Sequence, residues 1–336
     1  MTARREAGAT AVETRALKVE FPLRSGGVAR AVDGVDLAVH QGEILALVGE
    51  SGCGKTTLAR TILGLQRPAA GAVYVAGEPL SYRTRDLKAY RRRVQLILQD
   101  PSGALNPRHT VYEAVAEGLR VHGLLEGEEA KVAEALSRSG LRPPERFYLR
   151  HPHELSGGQR QRVVIAGALV LDPEIIIADE PVSSLDASVR GEILALLLRL
   201  RDELGLTLLV VTHDLGLAWN IADRVAVMYL GRIVEVGPTE EIMSAPQHPY
   251  TKALLSVVPE MKGLEPIVLV GETPDPTRIP AGCRFHTRCP ALADGRAAAA
   301  GVDGQCRTVE LPILAADVGG DRHASACHLV TANASA

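Results

Sequence analysis

Apolar residues in this chain come in short blocks separated by glycine-rich and charged stretches. Residues 44 to 48, Ile-Leu-Ala-Leu-Val, form one block that stops at Gly49. A second, Ile175-Ile176-Ile177-Ala178, follows Pro173 and ends on Asp179-Glu180. A third runs from Leu208 to Val211 and ends at Thr212-His213. Such short blocks without alternation predict strands buried on both faces, as in a parallel α/β sheet. Residues 100 to 155 carry more helical pattern, and Arg160 to Leu171 reads as one long helix. Past residue 240 the pattern changes. Pro246, Pro249, Pro259, Pro266, Pro274, Pro276, Pro280 and Pro290 punctuate it, which predicts a separate, loop-rich element.

The first strand runs into Gly49-Glu50-Ser51-Gly52-Cys53-Gly54-Lys55-Thr56-Thr57, the pattern G-x-x-x-x-G-K-[ST]. Its glycines let backbone N–H groups face phosphate oxygens, and the helix expected from about Lys55 adds its positive end. Lys55 is positioned to reach the outer phosphates and the Thr56 hydroxyl to ligate magnesium. With 32 Gly and only 6 Lys in 336 residues, chance yields this pattern on the order of 0.005 times per chain. Cys53 is read as a small loop residue without a redox role. The acids after the second strand fall where open α/β sheets bind ligands. Asp179 is expected to hold magnesium through water, and Glu180 to orient and polarise an attacking water.

Composition narrows the class. The 336 residues suffice for two domains, and 46% hydrophobic residues supply a core. Thirty-seven Lys plus Arg against 40 Asp plus Glu leave a charge of -3, so no basic field draws the chain to nucleic acid or anionic lipid. The longest uninterrupted apolar run, Val163 to Leu171, has nine residues, against roughly 20 for a bilayer span. No apolar segment follows Arg4 and Arg5 as in a secretory signal. A cytosolic location is expected, where clustered thiols are metal ligands more often than disulfides.

Leu155-Ser156-Gly157-Gly158-Gln159 precedes the long helical stretch. Ser156 and the N–H groups at that helix start make a second anion-binding end, whose phosphate need not be the chain's own. Here the sequence resembles the nucleotide-binding subunit of ATP-binding cassette (ABC) transporters, whose signature is this pentapeptide. The resemblance covers about residues 15 to 240 and extends to other motifs. Gln99 matches the glutamine linking magnesium and the attacking water to the membrane partner. Ser184 and Asp186, in Ser183-Ser184-Leu185-Asp186, match the loop that crosses the dimer interface. His213 matches the switch histidine on the γ-phosphate, and Phe21 the aromatic that stacks on adenine.

The resemblance implies an α/β P-loop cassette at 15–240, with a RecA-like core, an antiparallel β subdomain and a helical subdomain at about 100–170. ATP would be bound by Phe21, Gly49, Ser51, Gly52, Cys53, Gly54, Lys55, Thr56 and Thr57, and magnesium by Thr56, Gln99 and Asp179. Catalysis would rest on Glu180, His213, Gln99 and Lys55. Two such subunits face head to tail, so Ser156, Gly157, Gly158 and Gln159 serve the partner's ATP. A soluble, non-transport ABC ATPase is the rival reading; the single cassette without heptad insertion or basic extension argues against it.

Four of the five cysteines, Cys283, Cys289, Cys306 and Cys327, fall within 45 residues. Four thiols in an irregular segment with little core of its own suit a metal staple. The spacing, C-x5-C then 16 and 20 intervening residues, leaves zinc and iron-sulfur both open. His286, His323 and His328 are read as solvated or hydrogen-bonded. His248-Pro249-Tyr250-Thr251-Lys252-Ala253-Leu254-Leu255 and Gly282-Cys283-Arg284-Phe285-His286-Thr287-Arg288-Cys289-Pro290 resemble the C-terminal region of oligopeptide and dipeptide importer ATPases, a subfamily that also serves nickel and glutathione. That implies a small cysteine-containing domain at 241–336 holding a [4Fe-4S] cluster on the four thiols. It also implies a second, paralogous ATPase subunit, two permeases and an extracytoplasmic solute-binding protein. The chain would then be peripheral, at the cytoplasmic membrane face, touching the membrane through the permeases only.

Overall fold

The computed structural model describes residues 9–24, 26–259, 265–314 and 322–334. In chain order the strands are β1 (Thr10–Pro22), β2 (Val28–His40), β3 (Ile44–Val48), β4 (Ala70–Val75), β5 (Glu78–Pro79), β6 (Val94–Ile97), β7 (Ile175–Asp179), β8 (Thr207–Thr212), β9 (Arg224–Tyr229), β10 (Arg232–Pro238) and β11 (Ala324–Ser325). The helices used below are α1 (Lys55–Ile62), α2 (Thr84–Arg93), α3 (Pro101–Ala104), α4 (Val111–His122), α5 (Glu128–Arg138), α6 (Gly157–Leu169), α7 (Ala187–Leu204), α8 (Leu215–Ile221), α9 (Thr239–Ser244) and α10 (Pro249–Ser256). The chain forms two compact units, one of residues 41–44 and 81–210, the other of 10–40, 45–80 and 211 onward.

The second unit holds two sheets. One is antiparallel, in the order β2-β1-β4-β5. The other runs β11-β10-β9-β3, with β3 parallel to β9 from Leu45↔Arg224 to Val48↔Val227. Every residue of β3 and β9 is buried, as expected of a strand read as one continuous apolar block. The first unit pairs β6 parallel to β7, Val94 opposite Ile175 and Ile97 opposite Ala178. Helices α3 to α6 form its helical part, with α6 packed on α4 and α5. The capping box of α4, Thr110 with Glu113, fixes that helix start.

Two expectations change. The helix read from Arg160 begins at Gly157, because Ser156 caps it and the two glycines form its first turn. The proline-rich tail does not stand apart. Tyr250, Leu255 and Phe285 share one buried cluster with Ala46, Val48, Val227 and Tyr229, and Cys283 and Cys289 pack against it. Pro249 and Pro290 are first residues of short helices, where the missing N–H costs nothing and φ is preset.

Candidate functional site

In the second unit the loop after β3 turns into α1 at Gly54, whose φ is 111°. A Cβ there would lie 2.1 Å from the Ala31 carbonyl oxygen, so only glycine fits. No side chain caps α1 and no acid lies in its first turn, which leaves its positive end available to an anion. Lys55 is buried, and its Nζ donates to the carbonyls of Gly49 at 2.7 Å and Glu50 at 2.9 Å. The ammonium is thus held inside the loop between β3 and α1. Cys53 is buried; burial pushes its thiol up, so it stays neutral and packs as a small residue.

The same unit carries His213, exposed at the end of β8, and Asp214, which caps α8 by accepting from Leu217 N–H at 3.0 Å. Phe21, near the end of β1, is 39% exposed, which suits stacking and excludes a core role.

In the first unit β7 delivers Asp179, and Glu180 follows with φ 48°. A left-handed glutamate is a strained placement of the kind found where a side chain must be aimed. Gln99 Nε2 donates to Glu180 Oε2 at 3.2 Å, Ser184 Oγ to the Gln99 carbonyl at 3.4 Å, and Ser183 Oγ to the Glu180 carbonyl at 3.2 Å. Asp186 caps α7; the Val189 N–H and then the Ser188 hydroxyl hold its carboxyl below the usual range.

Ser156 caps α6. Its Oγ accepts from Gln159 N–H at 3.2 Å, and Gln159 Oε1 accepts from Ser156 N–H at 3.0 Å. A Cβ on Gly158 would meet Val189 Cγ1 at 2.6 Å, so the second signature glycine is required by the close approach of α7.

Several functional neighbours carried no sequence signal. Glu50, an unspecified position of the phosphate-loop pattern, accepts from Arg288 Nη1 at 2.7 Å, Arg288 Nη2 at 3.1 Å and Thr273 Oγ1 at 2.9 Å. Its N–H donates to Tyr250 Oη at 2.9 Å. Burial raises the Glu50 carboxyl, but Arg288 and Thr273 outweigh it and leave the group below the usual range.

The four cysteines line one cavity with His248, Phe285, Leu292 and Ala297. None is in a disulfide. Burial pushes Cys283 up to about 12 and Cys306 up to about 11, with the other thiols adding to both. Burial also raises Cys289 and Cys327; the backbone N–H groups of Phe285 at Cys283, of Leu292 and Ala291 at Cys289, and of Val330 and Leu329 at Cys327 only partly oppose the rise. Among the described residues, no group of three or more His, Cys, Asp or Glu is arranged to hold a metal ion. The histidines are hydrogen-bonded, His286 to the Cys283 carbonyl, His328 to the Val309 carbonyl and His323 to Glu235.

Residues 32–183 match the ABC transporter family, and residues 234–295 match the oligopeptide/dipeptide transporter C-terminal region. The chain is 45% identical over 296 residues to the oligopeptide transport ATP-binding protein AppF of Bacillus subtilis, covering 84% of this chain and 89% of that one. It belongs to the ABC transporter ATP-binding proteins, in their oligopeptide/dipeptide branch. The dipeptide transport ATP-binding protein DppF of Escherichia coli is 43% identical over 284 residues, covering 81% of this ATPase and 84% of that one. Among solved structures, cbiO1 from Clostridium perfringens, part of an ABC transporter complex, is 29% identical with a TM-score of 0.63 over 70% of this chain and 92% of that one. A dimeric ATP-binding cassette in a post-hydrolysis state with ADP and Pi is 30% identical with a TM-score of 0.61, covering 68% of this chain and 98% of that one. The α/β cassette expected from the sequence is therefore the fold, and the chain is an ATPase of a transport system. No helix among the described residues is long and apolar enough to cross a membrane.

Proposed function

We propose that this ATPase powers import of dipeptides or oligopeptides, as a peripheral subunit at the cytoplasmic membrane face. Its partners are a second, paralogous ATPase subunit, two permeases and a solute-binding protein. The observation that carries the reading is the oligopeptide/dipeptide C-terminal region on the same chain as an intact cassette. Residues 15–240 form the cassette, with the helical part at about 100–170, and 241–336 the extension. Phe21, Gly49 and Ser51 to Thr57 bind ATP; Thr56, Gln99 and Asp179 hold magnesium; Glu180 polarises the attacking water and His213 contacts the γ-phosphate. Ser156 to Gln159 address the partner's ATP, and Ser184 and Asp186 line the interface.

The four cysteines hold a [4Fe-4S] cluster in this reading. The donor set suits such a group: four thiols line one cavity. Such a group supplies a covalent staple for the extension. The test is turnover of the reconstituted complex with solute-binding protein loaded with dipeptide, longer peptide, nickel or glutathione. Peptide-stimulated hydrolysis is expected. Stimulation by nickel or glutathione alone would reassign the solute, and failure to co-purify with permeases would favour a non-transport ATPase. Iron, sulfide and zinc analysis of anaerobically purified wild type and Cys283→Ser tests the cluster.

A further inference from the structure

The segment between Cys283 and Cys289 reaches the phosphate loop by three routes. Arg288, one residue before Cys289, makes the two-pronged contact to the Glu50 carboxylate at 2.7 and 3.1 Å. Phe285 is buried between the rings of Tyr229 at 5.2 Å and Tyr250 at 5.3 Å, and Tyr250 accepts the Glu50 N–H. Arg284, one residue after Cys283, donates to the Leu230 carbonyl at 2.7 Å, and the next N–H, of Gly231, donates to the Cys53 carbonyl at 2.8 Å. The loop is thus held at Glu50 and Cys53, on either side of Ser51-Gly52.

Hydrolysis chemistry gives no reason for a carboxylate at position 50, which would repel a triphosphate in the same loop. Arg288 neutralises it, and a bidentate guanidinium also fixes its direction. We infer that Arg288 is a positioning residue for the phosphate loop, and that through the Glu50 pair ATP binding and ordering of the Cys283–Cys289 segment reinforce each other. The inference rests on the ATP-site reading above. Coupling of this kind is reciprocal: whatever orders the cysteine segment tightens nucleotide binding, and nucleotide orders the segment.

Hydrogen–deuterium exchange on the full chain, with and without the non-hydrolysable analogue AMP-PNP and magnesium, tests it. In wild type, nucleotide should slow exchange at residues 49–57 and, about fivefold or more, at 282–290. In Arg288→Ala, in the charge-keeping Arg288→Lys and in Glu50→Gln, protection of 49–57 should remain while nucleotide-dependent protection of 282–290 is lost. The double variant Glu50→Gln/Arg288→Ala should behave as either single one. Nucleotide affinity of Arg288→Ala should weaken roughly 5- to 10-fold. A purely structural arginine predicts faster exchange at 282–290 by the same factor with and without nucleotide. That result, or undiminished nucleotide protection of 282–290 in all three single variants, overturns the inference. Absence of slowing at 49–57 in wild type would instead overturn the ATP-site reading beneath it.

Discussion

Gln99 reaches Glu180 directly, its Nε2 donating to Oε2 across 3.2 Å. A carboxylate oxygen that accepts from an amide is held in one orientation, as a water-polarising group needs. The positive φ of Glu180 aims the side chain, so its backbone placement survives a change of head group. Glu180→Gln should therefore reduce ATP turnover of the assembled complex by at least about 100-fold, with ATP affinity nearly unchanged. Phosphate release and equilibrium nucleotide binding measure the two separately; unchanged turnover would remove Glu180 from the catalytic role.

Lys55 is the one cation of the phosphate loop itself, held by two loop carbonyls. Lys55→Ala removes both the charge for the outer phosphates and the internal brace. Affinity for magnesium ATP should fall at least about tenfold, since charged hydrogen bonds of this type are worth roughly 1.5–3 kcal/mol. Isothermal titration gives the affinity, and an unaltered far-ultraviolet spectrum excludes unfolding.

Asp33 and Arg284 form a buried ion pair within the second unit, both under a tenth exposed. Lys18 at 3.3 Å and Arg30 at 3.9 Å also face the Asp33 carboxylate, and Arg232 donates to its carbonyl while pairing with Glu310. Burial raises the Asp33 carboxyl, but the hydrogen bond and charge of Arg284, with Lys18, bring it below its ordinary 3.8. The folded value lies under the unfolded one, so this stabilisation is complete above about pH 4 and is lost as pH falls through the lowered folded value. Asp33→Asn leaves buried Arg284 with only the exposed Glu310 carboxylate, 3.6 Å away, as counter-charge and should cost about 3 kcal/mol at pH 7. Chemical denaturation of both proteins against pH should show the gap closing only below about pH 4.

Contiguous motifs made much of the site legible. β3, α1 and β7 follow from apolar blocks and the loop pattern because phosphate binding needs neighbouring backbone groups. The start of α6 was missed, being read at Arg160, although Ser156-x-x-Gln159 has the form of a capping box that overrides the helix-weakening glycines. The braces were not legible. Glu50 and Arg288 are 238 positions apart, and Asp33 and Arg284 are 251 apart. Such pairs leave no periodic trace, and each member alone reads as a surface charge. Prolines misled because a proline at a helix start and a proline in a loop look alike along the chain.

Ser156 separates a structural from a catalytic role. As the cap of α6 its oxygen accepts from Gln159 N–H, and its own O–H can still donate to an anion at the helix start, beside the N–H groups of Gly157 and Gly158. Ser156→Ala loses the cap, about 1 kcal/mol of stability, and that donor as well. ATP binding by the isolated chain should be unaffected if, as proposed, the phosphate addressed is the partner's. Turnover of the assembled complex should fall at least about tenfold, as expected when a hydrogen bond to a charged phosphate is removed. Ser156→Thr, which keeps both cap and hydroxyl, should recover most of it. A loss of melting temperature without loss of turnover in the alanine variant would reduce Ser156 to a helix cap and sink its role at the partner's ATP.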